Sequence, residues 1–216
     1  MRFDLDFVKN ILRLYAVTDR RWLKSRSLCA QAEQAILGGV TCVQLREKEL
    51  AREVFYEEAV RLRVLCSRYR VPLIINDDVE IALAVHADGV HVGQNDMKIA
   101  EIRRMAGDGL IIGATAKTVD QALDAQADGA DYLGSGAVFG TATKLNAKPM
   151  TRQLLGEIAA AVSIPVVAIG GINRENINQL EGTGIAGAAV VSGIFAAQDV
   201  QEECRFLRNQ IERMIG

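Results

Sequence analysis

A chain of 216 residues, 50% hydrophobic and 24% charged, is long enough to bury a substantial core but short for two independent domains. Its 25 basic and 27 acidic residues are interspersed and leave a formal net charge of -2, which excludes a broad cationic surface for nucleic acid or anionic lipid and makes any anion site a local one. Cys29, Cys42, Cys66 and Cys204 are scattered without a CxxC pair or a zinc-like spacing, which excludes a zinc module and suits reduced thiols in a cytoplasmic protein.

Residues 1–13 carry Asp4, Asp6 and Lys9 among their apolar positions, so they read as an extra N-terminal helix rather than a secretion signal. From there short apolar, β-branched runs alternate with longer segments of helical periodicity, the pattern of parallel βαβ units. Strands are predicted at Leu14 to Thr18, Thr41 to Leu45, Leu73 to Asn76, Gly89 to Val92, Leu110 to Ala114, Tyr132 to Ser135, Val166 to Ile169 and Ala188 to Val191. Helices are predicted near residues 25–37, 50–69, 78–85, 98–106, 118–128, 151–161, 173–181 and 200–214. The longest uncharged stretch, Gly182 to Gln198, is broken by glycines, a threonine and a serine, so no membrane span is expected. The pattern predicts an α/β chain that is a single-domain (β/α)8 TIM barrel over residues 1–216. The competitor is a doubly wound open sheet, but its glycine-rich first turn is replaced here by Val17-Thr18-Asp19-Arg20.

In a closed barrel the chemistry sits where strands end. Gln44, Arg46 and Lys48, spaced by two, would point the same way from an extended backbone and aim two cations at the barrel mouth, unless they form a solvated charged loop. Asn76-Asp77 ends the third strand, and His91, Gln94 and Asp96 follow the fourth. Asp77 and Asp96 suit a hard cation such as magnesium, whose shell would be completed by water and substrate phosphate oxygens. Either carboxylate could instead cap the helix that follows it. After the sixth strand, Gly134-Ser135-Gly136 leads to Thr141, Thr143 and Lys144, a hydroxyl-rich loop ending in a cation. Gly170-Gly171 and Val191-Ser192-Gly193 are small enough for backbone N–H groups to approach a phosphate, or are simply turns. His86 and His91 are the only histidines, which leaves little support for a triad.

Several motifs occur in order: Tyr15-Ala16-Val17-Thr18-Asp19, Gly38-Gly39-Val40-Thr41, Gln44 to Lys48, Asn76-Asp77, Gly89-Val90-His91 with Gln94 and Asp96, Thr141-Ala142-Thr143-Lys144, and Ala168-Ile169-Gly170-Gly171-Ile172. From Tyr15 to Ser192 the chain thereby resembles the thiamine phosphate synthase family. The resemblance implies that an aminomethylpyrimidine diphosphate is joined to a hydroxyethylthiazole phosphate, or its carboxylated form, giving thiamine phosphate and diphosphate. It implies that Gln44, Leu45, Arg46, Glu47, Lys48, Asn76, Thr115 and Lys144 hold the pyrimidine diphosphate. It further implies magnesium on Asp77 and Asp96, and the thiazole phosphate on Thr141, Ala142, Thr143, Gly171, Val191 and Ser192. Arg46, Lys48, Thr115 and Lys144 are the residues expected to act on the reaction itself. Thr115 stands where the family commonly has serine and keeps the hydroxyl, while Ala137 and Gly140 stand where prolines are frequent. The partners implied are two small-molecule phosphate substrates, without nucleic acid or membrane, and with any oligomeric partner left open. Rival readings are a thiazole tautomerase-like isomerase, against which the retained Arg46, Lys48, Asp77, Asp96 and Lys144 argue, and a noncatalytic phosphate-ligand sensor.

Overall fold

The computed structural model describes residues 3–23, 25–140 and 149–215. Eight parallel strands close into a barrel in sequence order, β1 (Leu14–Val17), β2 (Cys42–Leu45), β3 (Leu73–Asn76), β4 (Gly89–Val92), β5 (Ile111–Thr115), β6 (Tyr132–Gly136), β7 (Val166–Ile169) and β8 (Gly187–Val190). The circle is completed by β8 against β1, with Leu14 opposite Ala188 and Ala16 opposite Val190. Helices α1 (Leu5–Ile11), α2 (Leu28–Leu37), α3 (Arg52–Tyr69), α4 (Val79–Ala84), α5 (Ile99–Ala106), α6 (Val119–Ala127), α7 (Arg152–Ala161), α8 (Ser192–Phe195) and α9 (Val200–Ile215) accompany them among the described residues. The closed barrel, rather than the open sheet, is therefore the fold.

The strands are continuous apolar runs because both of their faces are covered. Alternate residues divide the interior into two cores. Tyr15, Val17, Cys42, Ile74, Ile111, Tyr132, Val167 and Ala189 fill the barrel, and Val8, Ile11 and Leu12 from α1 and its end join them. The remaining strand positions pack outward against the helices. Ser27, Thr118 and Thr151 cap α2, α6 and α7 by accepting from the backbone N–H three residues on, which sets where those helices start.

Two elements depart from the sequence reading. The helix expected over 173–181 is a short 3-10 turn, Ile177–Leu180. Asparagine side chains hold the preceding loop instead: Asn173 N donates to Asn176 Oδ1 at 2.9 Å, Glu175 N to Asn173 Oδ1 at 2.9 Å, and Asn176 Nδ2 to the Gly171 carbonyl at 2.9 Å. The four-residue α8 was not anticipated, and β8 runs from Gly187 to Val190 rather than 188–191. Gly187 can enter the sheet there because a Cβ would sit 1.9 Å from the Leu12 carbonyl oxygen, an approach only glycine permits.

Candidate active site

The ends of β1 to β8 surround a cavity of about 270 Å³. Gln44, Arg46 and Lys48 all line this cavity, in the alternation read from the sequence, with Arg46 and Lys48 on the loop after β2 and the Lys48 side chain half exposed. The intervening residues turn away. Leu45 is fully buried in the helix-side core, and Glu47 accepts from Arg20 Nε at 2.8 Å with only 5% of its side chain exposed. Thr18 Oγ1 accepts from the Arg46 N–H at 3.0 Å and fixes the backbone where Arg46 leaves β2.

Asn76 and Asp77 enter from β3, and His91 and Asp96 from β4 and its loop. Asp77 adopts φ 65°, a left-handed conformation that aspartate tolerates better than most residues, and its N–H donates to the His91 carbonyl at 2.9 Å. It does not cap α4, because Asp78 does so by accepting from Ile81 N at 2.8 Å. Asp96 does not cap α5 either; it accepts from Gly93 N at 2.7 Å, and Lys98 occupies the cap position without a side-chain bond. Both carboxylates are thus available to the cavity rather than spent on helix ends. Burial pushes the Asp77 carboxyl above its ordinary range and Asp96 pushes the same way, while the ammonium of Lys48, paired with Asp77, opposes them. Two neighbouring carboxylates, one already paired with a cation, form a donor set that suits a hard divalent ion. Among the described residues no group of three or more His, Cys, Asp or Glu gathers round one point, so such an ion would need further oxygens from elsewhere.

At and beneath the floor of the cavity runs a continuous chain of polar contacts, in which Tyr132 is fully buried. Gln44 Nε2 donates to the Tyr15 hydroxyl at 2.7 Å, the Tyr15 and Tyr132 hydroxyls lie 2.9 Å apart, and Tyr132 is 3.1 Å from His91 Nδ1. His91 Nε2 in turn lies 3.1 Å from Thr115 Oγ1, and Gln94 Nε2 donates to the Thr115 carbonyl at 2.5 Å. Burial pushes the His91 imidazole down to about 4, so it is neutral near pH 7. The sequence reading gave His91 no role in a triad and named Tyr132 only as the start of a strand. It also missed Lys117, which lines the cavity two residues beyond Thr115, in the same alternation as Arg46 and Lys48.

Across the cavity, Gly170 and Val191 line the wall, while Gly171 and Ser192 lie one residue further along their loops. Gly170 and Gly171 have φ 104° and 68°, and a Cβ on Gly171 would lie 2.4 Å from the Gly140 carbonyl, so this turn requires glycine. Ser192 opens α8. Thr141, Ala142, Thr143 and Lys144 lie outside the described residues. A larger hollow of about 730 Å³ opens at the opposite end, beside Pro165 and Ala186, and holds none of the strand-end groups.

The model of a family described as thiamine monophosphate synthase matches residues 14–194. The chain is 46% identical over 207 residues to a thiamine-phosphate synthase of Clostridium acetobutylicum, covering 95% of this chain and 98% of that one. A thiamine-phosphate synthase of Clostridium tetani is 50% identical over 194 residues, with 90% and 93% covered. The solved thiamine phosphate pyrophosphorylase from Pyrococcus furiosus superposes with a TM-score of 0.89 at 40% identity, over 96% of this chain and 99% of that one.

Proposed function

The chain belongs to the thiamine monophosphate synthase family, and from that premise we propose that it joins 4-amino-2-methyl-5-(diphosphooxymethyl)pyrimidine to 4-methyl-5-(2-phosphooxyethyl)thiazole, or its carboxylated form, releasing diphosphate and, from the carboxylated form, carbon dioxide as well. The observation that carries this reading is the convergence of Arg46, Lys48, Asn76, Asp77, Asp96 and Thr115 on one cavity. A diphosphate needs cations, and a tautomerase acting on a thiazole phosphate would have no use for this end of the site.

In this reading Arg46 and Lys48 stabilise negative charge developing on the departing diphosphate, with Gln44, Asn76 and Lys144 completing its hold. Asp77 and Asp96 would bind magnesium, which supplies charge neutralisation at the diphosphate. The Thr115 hydroxyl faces the pyrimidine ring. The carbon–oxygen bond to diphosphate breaks, the electron-rich aminopyrimidine spreads the positive charge left on its methylene carbon, and the thiazole nitrogen closes the new carbon–nitrogen bond. That nitrogen already owns a lone pair, so the protein needs no nucleophile or strong base, in keeping with a His91 that is half-buried and bonded at both ring nitrogens. Gly171, Val191 and Ser192, with Thr141, Ala142 and Thr143, would cradle the thiazole phosphate. Leu45 and Glu47 contribute backbone or support rather than side-chain contacts, since both side chains face away from the cavity. The reaction needs no membrane or nucleic acid and suits the cytoplasm; no helix among the described residues is long and apolar enough to cross a membrane.

The test mixes the purified protein with both substrates and magnesium and follows diphosphate and thiamine phosphate together. Stoichiometric formation of both is expected. Isomerisation of the thiazole phosphate without diphosphate release would replace this reading.

A further inference from the structure

Each hydroxyl on the cavity floor has a single proton to give, and that count fixes what the chain of contacts does. Gln44 Nε2 donates to Tyr15 at 2.7 Å, so the Tyr15 oxygen is an acceptor there and sends its own proton to its other neighbour, Tyr132, at 2.9 Å. Tyr132, having accepted, donates to His91 Nδ1 at 3.1 Å, which must then be the bare ring nitrogen. A neutral imidazole with Nδ1 bare carries its proton on Nε2, and Nε2 faces Thr115 Oγ1 at 3.1 Å. Thr115 therefore accepts from His91 and keeps its own proton for the cavity that it lines.

We propose that Tyr15, Tyr132 and His91 form a one-way hydrogen-bond relay that holds the Thr115 hydroxyl as a donor toward a lone pair on the pyrimidine ring, with Tyr132 and His91 as positioning residues. The inference rests on the pyrimidine reading above. The relay has no halfway state. At the two tyrosines a single reversed member would leave two donors or two lone pairs facing each other where no water can repair the fault, since Tyr15 is 1% and Tyr132 0% exposed, while His91 and Thr115 are half-buried at the cavity end. Reversal is all or none and requires the Gln44 amide to turn its oxygen to Tyr15; the opposite end would then present only lone pairs to the substrate.

The neighbouring strands are cut to fit these side chains. A Cβ at Gly113 in β5 would lie 2.1 Å from Tyr132 Cζ, and one at Gly134 in β6 would lie 3.0 Å from His91 Cε1. Glycines at both positions leave the space that the tyrosine and the imidazole occupy.

The first measurement is the tautomer of His91 by nitrogen-15 NMR of the free protein at neutral pH, assigned with a His86→Gln variant because His86 is the only other histidine. A proton on Nε2 with Nδ1 bare is expected; a proton on Nδ1 overturns the relay. The second is Tyr132→Phe, which keeps the ring seated on Gly113 and removes one link. Its KM for the pyrimidine diphosphate should rise about two- to twelve-fold, the range that one neutral hydrogen bond spans, with the KM for thiazole phosphate unchanged. In a Thr115→Ala background the same substitution should have little further effect, because the relay acts through that hydroxyl. An unchanged pyrimidine KM in Tyr132→Phe, an equal change for both substrates, or a full effect in the Thr115→Ala background overturns the positioning role. Should Tyr132→Phe fail to fold, the tautomer of the unaltered protein decides alone. Failure of the unaltered protein to bind pyrimidine diphosphate by calorimetry would instead count against the proposed function, since the tautomer is read without substrate.

Discussion

Asp77 combines a left-handed backbone, a carboxyl raised by burial, and an ion pair with Lys48. The three do not respond alike to substitution. Asparagine also tolerates positive φ, and it removes a charge that the fold disfavours rather than one it depends on, so Asp77→Asn is expected to melt within a few degrees of the unaltered protein. Turnover should nevertheless fall by roughly 10- to 150-fold, the range for one hydrogen bond to a charged group. Steady-state kinetics beside a circular dichroism melt checks both, and loss of the melt along with the activity would assign Asp77 to the fold. Ser135 presents the opposite case. It lies on β6 at 0% exposure with Oγ unpartnered among the described residues, so its hydroxyl is desolvated without return. Ser135→Ala should stabilise the protein by about 1 kcal/mol in urea unfolding, with kinetics unchanged. A loss of stability there would mean that the hydroxyl has a partner.

At the scale of elements, α5 packs on the barrel through Ile99 and Ile102 and is joined to it by one polar side chain as well. Arg103, 8% exposed, ion-pairs with Asp131, and its guanidinium donates to the carbonyls of Gly129 and Leu110 at 2.9 and 2.6 Å. Asp131 also accepts from Ile112 N at 2.8 Å, which places the start of β5 against β6. Arg103→Met would leave that carboxylate buried without its cation, and a cost of about 3–5 kcal/mol is expected in urea unfolding. Asp131→Asn added to it should recover part of the loss, because the amide oxygen can still accept from Ile112. Elements of this kind were only partly legible in the sequence. Strands covered on both faces must be apolar and β-branched throughout, so their positions could be read to within a residue or two. The 3-10 turn at Ile177–Leu180 could not, because helical periodicity says nothing about asparagine side chains competing for the backbone at Asn173 and Asn176. The site divides in the same way. Gln44, Arg46 and Lys48 follow one another along β2 and the loop after it and announce themselves by spacing, whereas Tyr15, His91, Thr115 and Tyr132 come from β1, β4, β5 and β6 and look individually like ordinary strand residues. Nothing short of the barrel's closure brings them into line. The glycines opposite them, Gly113 and Gly134, were the available signal.

For the molecule as a whole, the pairing of β1 with β8 has a consequence for its manufacture. One edge of β1 pairs with β2, but on the other edge Leu14, Tyr15 and Ala16 lie opposite Ala188, Ala189 and Val190, so that edge stays open until the last strand of the barrel has been made. Until then the nascent sheet has two raw edges, each able to recruit the edge of another unfinished copy. A chain stopped at Ala186, just short of β8, is expected to be recovered as aggregate, and a soluble, cooperatively melting product would show that seven strands suffice. Expression at lower temperature, or with more chaperone available to shield those edges, should raise the yield of the full chain without altering the properties of what folds. The seam that completes the barrel is also the last part of it to exist, and the supply of active protein is set there rather than at the site where its chemistry is done.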